Sequence, residues 1–144
     1  NDMKTSTVVA EMFKRVFPKI PIVMTSPENA EMTKYFINCF LATKVTFANQ
    51  MYEICQSSGI NYEDVKNLAL LDERIGKSHL MVPGPDGDLG FGGHCFPKDL
   101  EAMLYFAIEN KSTASLLGEV KLSNEKYRSN KDWEKMKGRA VSDD

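Results

Sequence analysis

Residues 31–50 read Glu31-Met32-Thr33-Lys34-Tyr35-Phe36-Ile37-Asn38-Cys39-Phe40-Leu41-Ala42-Thr43-Lys44-Val45-Thr46-Phe47-Ala48-Asn49-Gln50. Apolar side chains recur here with helical period, and the period holds from Ala30 to Ile54. The run has a start: Ser26 can cap, and Pro27 suits the first helical position, where its missing N–H has no partner to lose. It has a stop at Gly59, which suits the left-handed residue after a helix, with Ile60 next. About 30 residues at 1.5 Å rise make a helix roughly 45 Å long. Globular helices usually run roughly 8–20 residues, so this one is expected to be a domain's spine or to pack against a second subunit. Lys34 and Asn38 stand four apart on one face of it, inside an apolar run. They are candidates for a preorganised polar site. A lysine with its stem along a half-buried helix and its ammonium in water fits the same spacing.

Around this helix the chain reads as mainly α. Asn61 caps a next helix with Asp64 at its third position and Val65, Leu68, Ala69 and Leu71 turned inward. Residues 72–93 form a glycine- and proline-rich loop with a turn cluster at Pro83-Gly84-Pro85-Asp86-Gly87. Loops this long are often functional. Further helices are expected from Pro97 to Glu109 and from Thr113 to Arg128. Upstream, a helix from Thr7 to Phe17 leads to Pro18, and Ile20-Pro21-Ile22-Val23-Met24 reads as a short edge strand. The polar tail, 130–144, carries one aromatic, Trp133, and its last residues are expected to be disordered.

The second informative stretch is Gly92-Gly93-His94-Cys95-Phe96-Pro97-Lys98-Asp99. Pro97 can open the helix, which puts Cys95 just before a helix N-terminus, where backbone N–H groups and the macrodipole favour an anion. That setting lowers a thiol's pKa and frees a nucleophilic thiolate. A structural cysteine beside an ordinary helix cap fits the same letters. Asp99 can orient a water or a lysine, or simply complement the first helical turn. Arg74 suits recognition of hydroxyls or a phosphate, or is a plain surface arginine.

Composition narrows the classes. A chain of 144 residues with 42% apolar residues can bury the core of one ordinary domain. A net charge of −2 gives no electrostatic case for nucleic acid or an anionic membrane. No apolar run approaches the roughly 20 residues of a membrane span. Cys39, Cys55 and Cys95 are odd in number and unpatterned, which argues for free thiols in a reducing cytoplasm. With only His79 and His94, no metal cluster stands out. No Gly-x-Gly-x-x-Gly loop follows a strand.

Four blocks together resemble the central domain of the UDP-glucose/GDP-mannose dehydrogenase family. They are Ala30 to Asn38, Phe40 to Val45, Asp72-Glu73-Arg74-Ile75-Gly76, and Gly90-Phe91-Gly92-Gly93-His94-Cys95-Phe96-Pro97-Lys98-Asp99. The resemblance covers about residues 22–110. It implies a helical domain like the C-terminal-domain-like fold of 6-phosphogluconate dehydrogenase, from 27 to 129, with 1–26 the tail of an NAD-binding Rossmann domain. It implies oxidation of a sugar C6 alcohol to a carboxylate in two hydride transfers, with NAD as cofactor and UDP-glucose the first candidate among nucleotide sugars. In that chemistry a cysteine traps the aldehyde as a thiohemiacetal that becomes a thioester, and an ammonium and an amide stabilise the oxyanion. The family's motifs assign these roles to Cys95, Lys34, Asn38 and Asp99. They also assign Arg74 to the neighbouring subunit's sugar site, and Phe91, Gly92, Gly93 and Phe96 to the sugar pocket's wall. Lys98 is read as solvent-facing. Subunits of the family pair through the long helix, 28–58 here. Without a nucleotide loop the chain is expected to be an incomplete piece, inactive alone. A non-catalytic helical dimerisation module that keeps an idle cysteine motif is the alternative.

Overall fold

The computed structural model describes residues 3–136. The end of the polar tail and its expected disorder lie outside them. In chain order come α1 (Met3–Val16), α2 (Pro27–Ser57), α3 (Tyr62–Ala69), α4 (Cys95–Glu109), α5 (Ser115–Tyr127) and a last 3₁₀ turn, Asp132–Lys135. The described residues contain no strand. They divide into two compact units, one up to Lys34 and one from Tyr35 onward, so the division falls inside α2.

In the first unit, α1 starts a turn earlier than its apolar pattern, because Met3–Ser6 contains no helix breaker. It stops where Pro18 forbids helical geometry to the residue before it: the Phe17 N–H still reaches Phe13 O at 2.8 Å. Ile20–Met24 is irregular backbone, not the expected strand. A strand exists only by pairing. The described residues offer this segment no second strand, and prolines at 18 and 21 each lack a donor. The α2 start is as read: Ser26 Oγ accepts the Asn29 N–H at 3.2 Å. A backbone N–H, then Ser26, holds the Glu28 carboxyl below the usual carboxylate range.

In the second unit α2 is the spine. Its last turn closes as a Schellman motif, with Ile60 N–H to Cys55 O at 2.9 Å, Gly59 N–H to Gln56 O at 3.3 Å, and Gly59 at φ +67°. Two apolar clusters lie along it. One joins Cys39 and Ala42 of α2 to Phe91, Leu100 of α4 and Val120 of α5. The other joins Ala48 and Cys55 to Tyr62 of α3 and to Leu80 and Val82 of the following loop. Ala42 and Ala48 are almost wholly buried, so α2's neighbours pack close to its backbone. Tyr62 stands edge-on to Tyr52 and donates its hydroxyl to Leu80 O at 2.8 Å. Burial, then Glu63 and Cys55, pushes its phenol up to about 12.

The inward face of α3 differs from the expected one. Leu68 and Leu71 are 68% and 78% exposed, and Ala69 is exposed too. Of the expected face Val65 does turn to the cluster, joined there by Tyr62, with Leu70 after them. A helix of eight residues has barely two turns, so its one large aromatic sets which side is buried. Asn61 caps it as read, accepting the Glu63 N–H at 2.9 Å. The turn at 84–87 also forms, with Gly87 N–H to Gly84 O at 2.9 Å and Gly87 at φ +81°.

Candidate active site

Helix α4 begins at Cys95, two residues earlier than Pro97 suggests. Pro97 sits at the third helical position, where its missing N–H still breaks no intrahelical bond. Cys95 is therefore in the first turn, and it is exposed. His94 precedes it as N-cap, exposed and without a side-chain cap bond.

One turn further, Asp99 is the largest wholly buried side chain of the described residues, at 0% exposed. An uncompensated buried carboxylate costs several kcal/mol, so it must be paired. The Asn38 amide donates to its Oδ2, tying α2 to α4. Lys98 Nζ lies 2.5 Å from its Oδ1. Lys98 is thus half-buried and ion-paired, not solvent-facing: its flexible stem folds back over the adjacent residue. The Cys39 thiol points at Asp99's main-chain oxygen, 4.0 Å away. Burial, and secondarily Asp99, pushes that thiol's pKa up, which keeps it protonated. Lys34 ends the first unit and is exposed on α2, one helical turn before Asn38.

The glycine segment entering α4 is pinned by residues the sequence reading did not select. Asn124 of α5 holds both main-chain groups of Phe91: Phe91 N–H to Oδ1 at 2.7 Å, and Nδ2–H to Phe91 O at 3.0 Å. Asn49 of α2 accepts the Gly90 N–H at 3.0 Å. Asp132 accepts the Gly93 N–H on both oxygens, at 3.0 and 3.1 Å. Arg128, its side chain 2% exposed, sits 2.5 Å from Asp86, 3.6 Å from Asp88 and 3.9 Å from Asp132. The guanidinium holds the Asp86 carboxyl below the usual range. The Asn130 N–H, with help from Ser129, does the same for Asp88 against an opposing effect of burial. The available signal was faint: Asn49 interrupts an apolar run, and Asn124 and Arg128 stand four apart beside the inward Val120.

Phe91 is buried and meets Phe96 edge-on at 5.8 Å. His79, in a left-handed conformation at φ 65°, tilts over Phe96 at 5.7 Å. Burial, then Lys44, lowers its imidazole pKa. Phe91, Gly92 and Phe96 line a half-open cavity of about 470 Å³ together with His79, Pro85 and Arg128. Cys95, Asn38 and Asp99 are not among its lining residues. Arg74 stands elsewhere, its side chain 89% exposed. It clasps Asp72 through Nε at 2.9 Å and Nη2 at 2.6 Å. The structure thus brings Asn38, Lys98 and Asp99 together one turn inside Cys95, brings Phe91, Gly92 and Phe96 together at the cavity, and leaves Arg74 on the surface.

Curated proteins resemble this chain in sequence. The UDP-glucose 6-dehydrogenase TuaD of Bacillus subtilis is 41% identical over 108 residues, 75% of this chain and 22% of its own length. The UDP-glucose 6-dehydrogenase of Rickettsia prowazekii is 39% identical over 108 residues, covering 75% and 24%. That of Rhizobium meliloti is 35% identical over 118 residues, covering 81% and 26%. The chain spans about a quarter of the length of these curated relatives. No helix among the described residues is long and apolar enough to cross a membrane. Residues 28–126 match the central domain of one family, and the chain belongs to it: the UDP-glucose/GDP-mannose dehydrogenases.

Proposed function

We propose that this chain is the central, subunit-pairing domain of an NAD-dependent nucleotide-sugar 6-dehydrogenase, with UDP-glucose as substrate and UDP-glucuronate as product. The observation that carries the reading is the exposed Cys95 in the first turn of α4, with the buried Asp99–Asn38 pair one turn inside it. Cys95 supplies the thiolate that adds to a sugar aldehyde. Lys34 and Asn38 stabilise the oxyanion so formed, and Asp99 holds the Asn38 amide in register for it. Arg74 recognises the sugar nucleotide across a subunit boundary, while Phe91, Gly92, Gly93 and Phe96 shape the pocket wall. The domain has the helical fold of the 6-phosphogluconate dehydrogenase type over 27–129, with 1–26 the tail of a Rossmann domain and 130–144 a polar tail.

The NAD of this reading is bound mainly by a domain outside this chain, because the described glycine segment does not fit it. The glycine segment at 90–93 follows no strand, and a Cβ at Gly90 or Gly92 would meet Asn124 or Arg128 within 2.4 Å. That crowding leaves no open cradle for a pyrophosphate at this segment. Pairing through 28–58 is supported by a stripe of exposed apolar side chains on α2. Phe40, Phe47 and Ile54 recur every seven residues, each at least half exposed, and Phe36 stacks on Phe40 at 6.4 Å. Contiguous apolar surface of this kind marks an interface. Free thiols at Cys39, Cys55 and Cys95 support a cytoplasmic setting.

Turnover of UDP-glucose by the full-length protein tests the reading. Lys34→Ala is expected to lower kcat by about 10², as for loss of an oxyanion donor, and Asn38→Ala to act the same way less strongly. Near-normal turnover in Lys34→Ala would leave that lysine a structural role. A full-length protein that oxidises neither UDP-glucose, UDP-N-acetylated sugars nor GDP-mannose would favour the non-catalytic dimerisation module.

A further inference from the structure

Helix α4 has no side-chain cap, because His94 makes none. Something else must fix the angle at which the chain enters it. The two residues before His94 are glycines, and Gly93 sits at φ +72° with nothing within 4 Å of where a Cβ would be. Left alone, such a pair swings freely and carries Cys95 with it.

It is not left alone. Asp132 takes the Gly93 N–H on both carboxylate oxygens. A Cβ at Gly92 would lie 2.3 Å from Arg128 Nη2 and 2.6 Å from Asp132 Oδ1, so the two side chains press against the backbone there. Arg128 is itself held: Nε donates to Asn130 O at 2.9 Å, and Nη2 lies 2.5 Å from Asp86. Asp88 ties down the same segment, accepting the Ser129 hydroxyl at 2.9 Å and the Asn130 N–H at 2.9 Å. The chain just beyond α5 therefore grips the backbone two and three residues before Cys95.

We propose that Arg128 and Asp132 are positioning residues for the Cys95 thiol, acting through the Gly92–Gly93 backbone. The proposal rests on the reading of Cys95 as the nucleophile. Its test reads thiol chemistry rather than turnover, so the two can fail separately. In the 144-residue chain, iodoacetamide labelling is followed for each cysteine by mass spectrometry across pH. Cys39 and Cys55 are 6% and 3% exposed and serve as internal controls of folding. In Asp132→Ala the Cys95 labelling rate is expected to change by about threefold or more, the effect of half a pKa unit on the thiolate fraction, with a moved pH midpoint and the control cysteines still protected. Asp132→Glu, which keeps the carboxylate, is expected to restore most of the rate and midpoint. An unchanged Cys95 rate and midpoint with protected controls overturns the proposal. Where Asp132→Ala exposes the controls, Arg128→Lys carries the test under the same readings. Exposed controls in both variants also overturn it, in favour of a general role in the fold.

Discussion

The connection between α3 and α4 has two halves held in opposite ways. Residues 70–81 are wound by local bonds: Leu71 N–H to Leu68 O, Asp72 N–H to Ala69 O, Ile75 N–H to Asp72 O. Lys44 Nζ reaches Ile75 O and Gly76 O from α2, each at 3.2 Å, and Arg74 turns back on Asp72. Residues 82–94 are held by side chains 33 to 42 positions away, those of Asn49, Asn124, Arg128 and Asp132. Phe91 and Val82 are buried in this half, while Leu71 and Arg74 lie open in the other. Leu80 and the Lys44 bonds anchor the first half at single points, whereas the half that leads to Cys95 is fastened to α2 and α5 and to the segment after α5.

That contrast breaks most visibly at Asn124. Asn124→Ala leaves the buried N–H and C=O of Phe91 without partners, and is expected to cost about 2–4 kcal/mol in urea unfolding. A loss well under that range would mean that the second half is held by packing alone. At the junction of the halves, Tyr62→Phe removes the bond to Leu80 O and is expected to cost about 1 kcal/mol. It also changes the alkaline limb. The folded phenol titrates at about 12 against an ordinary value near 10, so its neutral form is favoured in the fold. The resulting stability is full below pH about 10 and disappears as pH rises toward about 12. Tyr127, likewise raised by burial and then by Glu53, leaves part of the limb in place. Chemical melts between those pH values should therefore be flatter, not flat, in Tyr62→Phe. The smallest effect is expected at Arg74→Ala. Its clasp on Asp72 is a surface pair, and the unfolding midpoint should not move measurably. A clear destabilisation would show that the first half depends on Arg74 after all.

What was legible in the sequence was local. Ser26 and Pro27 mark the start of α2 and Gly59 its end, because caps are written within a few residues of the bond they make. The pairing of Asn38 with Asp99 was not legible from spacing, since 61 positions separate them. The motif nonetheless named both. Asn124 and Arg128 looked like ordinary helix residues because a buried side chain's partner lies in the fold, not in the period. Leu68 and Leu71 depart from the pattern for the opposite reason: the period runs through α3 to just past its end, but α3 has too few turns to enforce burial. Pro97 does not mark the first residue of α4, because proline is tolerated at more than one position of a first turn.

The contact of Gly92 with Arg128 and Asp132 has a consequence for how this sequence can vary. The space a side chain at 92 would occupy is already filled from the end of α5. A larger residue at 92 is admissible only with a shorter one at 128 or a shifted 3₁₀ turn, and a side chain at Gly90 would meet Asn124 in the same way. The glycines before the cysteine and the side chains of Asn124, Arg128 and Asp132 thus share one space, although they lie far apart along the chain.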